Sequence, residues 1–265
     1  MSYVNKLHLS DNNEAIFFSI ITVTYNAEKS IRSTLDSIFQ QDKELFELIV
    51  IDGASTDRTI SIVDMHSQEV DMLISSPDKG IYDAMNKGIS LANGEYIIFM
   101  NAGDCFYDKD TLLSVHKFLS KNPVDLYAGS AKVVYNCGAV KEKKAELIRD
   151  NCFYTPVCHQ SLYAKATLMK SMLFDCVNFK YAADFDFMMK VINCGGTSFV
   201  TDSPLSIVTA EGVSDIARIK VWREYKSIFS KYNKLTLFHR LYYKRQISIQ
   251  YIKKILTTFK KYFGL

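Results

Sequence analysis

The sequence predicts an α/β protein with a mostly parallel sheet flanked by helices. Short runs of β-branched and aromatic residues alternate with segments of helical periodicity through the first hundred residues, and the connections between them are short. The chain has 265 residues, of which 48% are hydrophobic and 13% aromatic, so it can bury a large core and does not fit a disordered class. Its apolar runs are all far shorter than the roughly 20 residues that a membrane-spanning helix needs.

Four buried strands and three helices account for the amino-terminal hundred residues. Asn26 can cap the first of these helices, and Ser55 or Thr56 can cap the second. The predicted strands are 17–25, 46–51, 70–75 and 95–100, and the predicted helices are 27–40, 56–66 and 80–92. Strand–helix–strand units of this kind cross over with a right hand, so successive strands lie parallel.

The alternation loosens after Asp104. The pattern there predicts helices at 110–119 and 183–193, a helical turn at 167–173, and strands at 126–135, 139–145, 159–164, 197–202 and 205–210. Two further helices, 216–232 and 235–262, are rich in Lys and Arg. We therefore divide the chain into a body, residues 1–215, and a C-terminal helical extension, residues 216–265.

Charge follows the same division. From residue 216 onward the chain has 13 Lys and Arg and a single acidic residue, Glu224, whereas the remainder has 19 basic and 28 acidic residues. Basic amphipathic helices rich in aromatic residues are typical of proteins that lie on an anionic membrane surface. The alternative is that they pack on the acidic body. A nucleic-acid partner is disfavoured, because no recognition motif accompanies the charge.

The six cysteines and the amino terminus indicate a compartment. The cysteines show no CxxC spacing, which favours reduced thiols, and the first fifteen residues lack the pattern of a signal peptide. We expect a cytoplasmic protein, peripheral on the inner face of the plasma membrane.

Polar residues follow each of the four amino-terminal strands. Ligands of parallel α/β sheets bind beyond the carboxyl ends of the strands, so these groups should line one rim. They are Thr24, Tyr25 and Asn26; Asp52 and Gly53; Asp78, Lys79 and Gly80; and Asn101, Ala102, Gly103 and Asp104.

The rim favours carboxylate chemistry. No GxGxxG follows the first strand and no GxxxxGK[ST] occurs, which disfavours dinucleotide and P-loop sites. One carboxylate can accept an N–H of a base or bind ribose hydroxyls. Another, in a Gly-flanked loop, can hold Mg²⁺ or Mn²⁺, which prefer oxygen ligands and often bridge to substrate phosphates.

Four segments, taken together and in this order, resemble one family. They are SIITVTYNAEKSIRSTLDSI, FELIVIDGASTDRT, SSPDKGIYDAMNKGISLANGEYIIFMNAGD and YAADFDFMMKV. The arrangement is similar to that of the family-2 inverting nucleotide-sugar glycosyltransferases of the bacterial polysaccharide-biosynthesis type, over roughly residues 17–210. The resemblance implies the GT-A fold, a Rossmann-like sheet flanked by helices, and an enzyme that transfers a hexose.

The resemblance also implies a donor side. Thr24, Tyr25 and Asn26 match one wall of the nucleotide-base pocket, and Asp52 matches the carboxylate that reads the base, commonly a uracil N–H. Asp104 matches the last carboxylate of the DxD-like motif that binds Mn²⁺ or Mg²⁺. The remaining matches to the nucleotide-sugar pocket are Asp78, Lys79, Gly80, Asp83, Asn86, Asn101, Ala102 and Gly103, with Gly103 where many members have another acid.

The resemblance places the general base at Asp184, with Asp186 as the fallback, although Ala183 replaces the Glu of the family's Glu-Asp motif. The implied reaction is one displacement: the base takes a proton from a hydroxyl of a glycan or lipid-linked acceptor, and the metal neutralises the departing nucleoside diphosphate, commonly UDP. His159 and Gln160 are candidate contacts to the acceptor or to phosphate. Residues 211–214 resemble a family loop near the active site.

Other interpretations stay open. Asp52 and Asp104 can be turn residues, and His159 can be structural. Asp184 and Asp186 are two positions apart and cannot share a helical face, so one of them has another role. Gly103 and Ala183 replace common acids, which leaves a catalytically inactive assembly partner as an alternative. A sugar nucleotidyltransferase is disfavoured by the lack of a Gly-rich phosphate loop with basic residues near the amino end.

Overall fold

The computed structural model describes residues 3–6, 16–210, 217–233 and 235–263, with side chains for 16–210, 217–233 and 235–256. The strands of this part of the chain are β1 (Tyr3–Lys6), β2 (Phe18–Thr24), β3 (Phe46–Asp52), β4 (Met72–Ser75), β5 (Tyr96–Phe99), β6 (Cys105–Phe106), β7 (Leu126–Val134), β8 (Val140–Lys143), β9 (Leu162–Lys165) and β10 (Ser198–Thr209). The helices are α1 (Ile31–Phe39), α2 (Thr59–Asp64), α3 (Ile81–Leu91), α4 (Thr111–Leu119), α5 (Ala166–Ser171), α6 (Ala183–Asn193), α7 (Arg218–Tyr232) and α8 (Leu237–Phe263). Two 3₁₀ turns lie at Lys43–Leu45 and His159–Ser161.

The strands form a sheet with the order β1-β4-β3-β2-β5-β9-β7-β10-β6, and β8 pairs with the outer part of β7. Strands β4, β3, β2 and β5 are parallel, as the alternation of strands and helices predicted. Strand β9 runs antiparallel between β5 and β7, and β10 runs parallel to β7. The carboxyl-terminal half therefore extends the sheet of the first half instead of forming a second one.

Helices cover both faces of the sheet. On one face, α1, α2 and α4 bury side chains such as Leu35, Val63 and Leu112. On the other face, α3, α5 and α6 bury side chains such as Met85, Met169 and Phe185, and α7 adds Ile228. All seven residues of β2 and of β3 are buried, which explains why their sequences are almost continuously apolar.

Local boundaries differ from the prediction at several places, one of them the predicted strand at 159–164, which begins only at Leu162. Asn26 does not cap a helix, because α1 begins only at Ile31. The second helix begins at Thr59, whose N–H donates to Asp57 Oδ1, so neither Ser55 nor Thr56 caps it. The two strands expected at 197–202 and 205–210 are one strand, β10, with irregular register between Val200 and Ser206. The Pro at 204 cannot donate a ladder hydrogen bond, which produces a bulge and not a chain break.

The two C-terminal helices differ in how they meet the body. Helix α7 buries Val221, Ile228 and Phe229. Helix α8 contacts the body near its start, where buried Tyr243 donates its hydroxyl to the Phe153 carbonyl at 2.7 Å. The predicted boundary between body and extension, at residues 215 and 216, lies outside the described residues.

Candidate functional site

The four connections that follow the parallel strands lie side by side, as predicted. Gly53 N–H donates to the Thr24 carbonyl at 2.9 Å, and Ser76 N–H donates to the Asp52 carbonyl at 2.9 Å. On the other side of β2, Ala102 N–H donates to the Val23 carbonyl at 3.1 Å. The carboxyl ends of β4, β3, β2 and β5 therefore form one continuous rim.

Gly53 allows three of these connections to converge. A Cβ atom at this position would lie 2.6 Å from Asp78 Oδ2 and 3.2 Å from the Tyr25 ring, so a side chain there would displace both. Tyr25 itself is 64% exposed, which leaves most of its ring available at the open side of the rim. The lack of a side chain at Gly53 thus allows the exposed ring of Tyr25 and the carboxylate of Asp78 to lie close together.

Asn26 ties the first connection to the second. Its backbone has a positive φ of 47°, its N–H donates to Ser55 Oγ at 2.8 Å, and its Oδ1 accepts the N–H of Thr56 at 2.9 Å. Asn tolerates this left-handed conformation better than most residues. Asn26, which was expected to cap a helix, instead holds the connection after β2 against the connection after β3.

Asp52 is completely buried, and both of its carboxylate oxygens are occupied. Oδ1 accepts the hydroxyl of Ser55, and Oδ2 accepts the Ser55 N–H at 2.9 Å and the Ser75 hydroxyl at 2.6 Å. These bonds support the interpretation of Asp52 as a residue that organises its turn. Asp52 has no exposed surface, so a direct contact with a base would need the surrounding turn to move.

In the connection after β4 and the first turn of α3, carboxylates also bind backbone N–H groups of their own segment. Asp78 Oδ1 accepts the Gly80 N–H at 2.8 Å, and Asp83 Oδ2 accepts the Lys79 N–H at 3.0 Å. Gly80 has a φ of 123°, a conformation that side chains disfavour. Asn86 is directed elsewhere.

Both ends of the Asn86 amide bind the backbone of Phe174: the oxygen accepts its N–H at 3.0 Å, and the Nδ2 donates to its carbonyl at 2.9 Å. Asn86 therefore holds the loop before α6 and does not present a free amide to the rim.

The connection after β5 is a tight turn. Asp104 N–H donates to the Asn101 carbonyl at 2.9 Å, and Gly103 N–H donates to Thr34 Oγ1 at 2.9 Å. Gly103 has a φ of 104°, which only glycine adopts without strain. The turn therefore explains why glycine stands where an additional acid was expected.

Asp184 lies at the start of α6 and is 8% exposed. Its Oδ1 accepts the hydroxyl of Tyr82 at 2.8 Å, and its Oδ2 lies 3.7 Å from His159 Nδ1. Burial acts to raise the pKa of Asp184, but His159 and the Tyr82 hydroxyl outweigh it and bring the pKa below its ordinary value. Asp184 is therefore a carboxylate at neutral pH.

The 3₁₀ turn at His159–Ser161 joins this carboxylate to the rim. Gln160 Nε2 donates to Asp104 Oδ2 at 2.9 Å, and the Asn101 amide nitrogen lies 3.0 Å from His159 Nε2. With the amide in this orientation, Asn101 is the donor, so a neutral His159 carries its proton on Nδ1, toward Asp184. Asp104 and Asp184 are thus linked through two adjacent residues.

Asp104 is buried at the rim. Burial raises its pKa to about 6, although Gln160 and His159 act to lower it. Asn101 Oδ1 is buried next to this turn without a hydrogen-bond partner. Across the described residues, no three His, Cys, Asp or Glu side chains form a metal site. The donor set, one carboxylate and one amide oxygen, therefore fits Mn²⁺ or Mg²⁺ only if a substrate diphosphate supplies further oxygen ligands.

Asp186, the fallback base, points to a different neighbour. Its Oδ1 lies 2.9 Å from Lys231 Nζ and 3.1 Å from the Tyr232 hydroxyl, both on α7. The carboxylate is buried in this contact between helices. The two acids of α6 thus separate as their spacing predicted, with Asp184 toward the rim and Asp186 toward the extension.

Sequence reasoning missed Tyr82. It lies in the segment that resembles the family, between Gly80 and Asp83, but its partner Asp184 is 102 residues away. No local pattern indicates such a contact. Residues 211–214, expected near the site, lie outside the described residues.

Comparison with known proteins assigns the family. The profile of "Glycosyl transferase family 2" matches residues 19–173. The chain is 31% identical over 183 residues to "PGL/p-HBAD biosynthesis glycosyltransferase" of Mycobacterium bovis, an alignment that covers 66% of this chain and 70% of that protein. The chain therefore belongs to glycosyl transferase family 2, a family of inverting glycosyltransferases.

Solved structures agree with the fold. S. aureus TarS in complex with UDP-GlcNAc superposes with a TM-score of 0.66 at 22% identity, over 88% of this chain and 70% of that one. The mannosyltransferase PcManGT of Pyrobaculum calidifontis, in complex with GDP-Man and Mn²⁺, has a TM-score of 0.63 at 22% identity, over 83% of this chain and 64% of that one. The predicted GT-A fold is confirmed.

Among the described helices, which lie in 16–210, 217–233 and 235–263, none combines the length and the apolar character that a bilayer crossing needs.

Proposed function

We propose that this chain transfers a sugar from a UDP-sugar to a hydroxyl of a lipid-linked or polysaccharide acceptor, with inversion, in one displacement. The observation that carries the proposal is that two carboxylates from distant parts of the chain contact two neighbouring residues. Asp104, from the end of β5, binds Gln160, and Asp184, from α6, lies against His159. One carboxylate can therefore act at the leaving group while the other acts at the attacking hydroxyl.

The donor binds at the rim in this proposal. The exposed Tyr25 ring and the wall fixed by Asn26 contact the base, and residues 78–80 line the nucleotide and the sugar. Asp52 contributes by fixing the Ser55 hydroxyl, which also accepts the Asn26 N–H. The uridine is inferred from the family and agrees with the UDP-GlcNAc named for TarS.

Asp104 and Asn101 would hold the divalent metal. When bound, Mn²⁺ or Mg²⁺ supplies positive charge for the diphosphate that leaves. Gln160 holds Asp104 in place through its amide N–H, and His159 lies next to it. The Mn²⁺ found with the mannosyltransferase PcManGT supports this choice of ion.

Asp184 acts as general base. Its carboxylate takes the proton of the acceptor hydroxyl while that oxygen forms a bond to the anomeric carbon, and the bond from this carbon to the diphosphate oxygen breaks with its electron pair leaving on the diphosphate. Tyr82 holds Oδ1, which leaves Oδ2 beside His159 as the proton acceptor. No covalent intermediate forms, so the configuration inverts.

A thermal-shift screen tests the proposal with UDP-, GDP-, dTDP- and CMP-sugars, each with and without Mn²⁺. A ligand that binds the native state raises the melting temperature. We expect a UDP-sugar to give the largest rise and to need Mn²⁺ for it. Slow Mn²⁺-dependent hydrolysis of the same donor should follow. A chain that binds no donor, or that binds one without ever turning it over, is an assembly partner and contradicts the proposal.

We further propose that α8 contacts an anionic membrane surface. Six large apolar side chains of this helix are 56–73% exposed: Leu237, Phe238, Leu241, Ile252, Ile255 and Leu256. Arg240, Lys244 and Arg245 are exposed on the same helix. Each basic residue near an anionic surface contributes on the order of 1 kcal/mol, which favours lipid headgroups as the partner. Helix α7, by contrast, buries apolar side chains against the body.

Vesicle sedimentation in low salt tests this surface. The full chain should bind vesicles that contain phosphatidylglycerol and not those of phosphatidylcholine alone. Replacing Leu241, Ile252 and Ile255 together with Gln should weaken binding more than about tenfold, since three apolar side chains no longer enter the interface. Met65→Gln, which removes an apolar side chain that is 71% exposed on the body, is the control. Equal binding by the triple variant, or concentration-dependent self-association that the triple variant loses, would overturn the proposal.

A further inference from the structure

Glu224 is the one acidic residue of the basic extension, and it contacts the segment that leads into α6. Its Oε1 accepts the N–H of Lys180 at 3.0 Å. Its Oε2 accepts the N–H groups of Tyr181 and Ala182, both at 2.9 Å. One side chain from α7 therefore binds three consecutive backbone groups immediately before the helix that carries Asp184.

These contacts take the place of a capping side chain, which the sequence at the start of α6 lacks. Helix α6 begins at Ala183 after Ala182, which is among the poorest residues at a helix start because it has no side-chain acceptor. Without a partner, the backbone N–H groups of this segment would be left to water. A carboxylate near the amino end of a helix is also favourable to the helix dipole. Glu224, which belongs to another helix, thus fixes the path of the backbone that leads into α6.

Helix α7 holds α6 at two further positions. The Tyr225 ring packs edge-on against Phe185 with 5.2 Å between ring centroids. Seven residues after Glu224, Lys231 Nζ pairs with Asp186 Oδ1 at 2.9 Å. The contacts therefore fall on residues 180–182, 185 and 186, on both sides of Asp184 in sequence.

We propose that Glu224 is a positioning residue for transfer, which holds the Asp184 carboxylate in the orientation that accepts the proton of the acceptor. The inference rests on the proposed role of Asp184 as the base. A displacement of about 1 Å at a reacting group can cost on the order of a hundredfold in rate, so a support of this kind has a measurable effect. The extension then takes part in catalysis in addition to any contact with a membrane.

The test compares Glu224→Ala, Glu224→Gln and Lys226→Ala in the full chain. Lys226 is exposed on the same helix and serves as the matched control. We expect Glu224→Ala to lower kcat for transfer about ten- to hundredfold while the Kd for the UDP-sugar with Mn²⁺ stays within about twofold. Glu224→Gln should fall between, because one oxygen can still accept from Tyr181 and Ala182 while the amide nitrogen cannot accept from Lys180. Lys226→Ala should match the wild type.

A residue with a merely structural role gives another pattern. Donor affinity, melting temperature and kcat would then fall together, and the Gln variant would not recover kcat selectively. That result overturns the inference, as does an unchanged kcat in Glu224→Ala. If the Ala variant does not fold, a few-fold loss of kcat in Glu224→Gln at constant donor Kd is the expected result, and an unchanged kcat contradicts it.

Asp184→Asn separates this inference from the function on which it rests. If Asp184→Asn keeps normal turnover, the base is elsewhere and the proposed mechanism fails, whatever Glu224 does. If Asp184→Asn loses transfer while Glu224→Ala keeps it, only the inference fails. When both hold, adding Glu224→Ala to Asp184→Asn should lower the residual rate much less than it lowers the wild-type rate, because the group that it positions is already gone.

Discussion

The proposed donor side and the proposed base side of the site are built in different ways. The donor side consists of four connections that each follow a parallel strand, and neighbouring backbone groups join them directly. The base side is assembled from the turn at His159–Ser161, the start of α6 and the extension, which are far apart in sequence. The difference implies that the two sides can be disabled separately.

The largest expected effect is at Asp184. Asp184→Asn keeps the size of the side chain and an oxygen for Tyr82 but cannot take a proton at neutral pH. We expect transfer to fall by about 10²–10⁴-fold, as for the loss of a general base, with donor affinity within about twofold. Initial rates and calorimetric donor titrations measure the two quantities.

Asp186→Asn is the control for this substitution. It removes a charge that pairs with Lys231 on α7, so the free energy of unfolding should fall by about 1–3 kcal/mol, while kcat should fall much less than in Asp184→Asn. The reverse pattern, with kcat lost in Asp186→Asn and retained in Asp184→Asn, would make Asp186 the base.

The next effect is at Asp104, on the donor side. Asp104→Ala removes the carboxylate proposed to bind the metal, so Mn²⁺ should no longer strengthen binding of the UDP-sugar. We expect the donor Kd measured with Mn²⁺ to rise more than about tenfold, since even the residues that support metal ligands contribute ten- to a hundredfold. Melting curves without ligand show whether the fold survives. A donor affinity that still depends on Mn²⁺ would move the metal away from Asp104.

A smaller effect distinguishes two roles of Asp52. Because its oxygens accept from Ser55 and Ser75, Asp52→Ala removes the acceptor of these partly buried groups and should lower the free energy of unfolding by about 1–3 kcal/mol. Urea denaturation measures this. A variant with unchanged stability that selectively loses affinity for UDP over GDP would instead make Asp52 a direct reader of the base.

A loss of stability similar to that of Asp52→Ala is expected at Gly103. Gly103→Asp restores an acid that is common in the family but places a side chain at a φ of 104°. The strain should cost roughly 1–3 kcal/mol of stability and should not strengthen Mn²⁺ binding. Denaturation and Mn²⁺ titration with UDP check the two parts. A gain in metal affinity at no cost in stability would show that the turn relaxes more easily than its hydrogen bonds imply.

The same contrast explains what could be predicted from sequence. Strands β2 and β3 are almost continuously apolar and helix α3 has apolar residues at helical spacing, and the predicted bounds of all three lie within two residues of those observed. The resemblance to a family then predicted that Asp104 and Asp184 belong to one site, and the structure connects them through Gln160 and His159. The helix caps were wrong because Asn26 binds Thr56 in the neighbouring loop, a contact that local propensity does not describe.

Residues that act across long separations gave no signal in advance. Tyr82 reaches Asp184 over 102 residues, and Glu224 reaches Tyr181 over 43. In sequence, nothing distinguishes Tyr82 from the other residues on the apolar face of α3, and Glu224 is an isolated acid in a basic helix. Their roles depend on how α3, α6 and α7 pack, which is a property of the folded chain.

Anomalous diffraction at the Mn edge, from crystals that contain a UDP-sugar and Mn²⁺, tests most directly whether the two sides form one catalytic cleft. We predict a single strong peak at the Asp104 carboxylate near Asn101, with the sugar ring between that ion and Asp184. A manganese ion held by Asp52 or Asp78, or an anomeric carbon turned away from Asp184, would contradict the account.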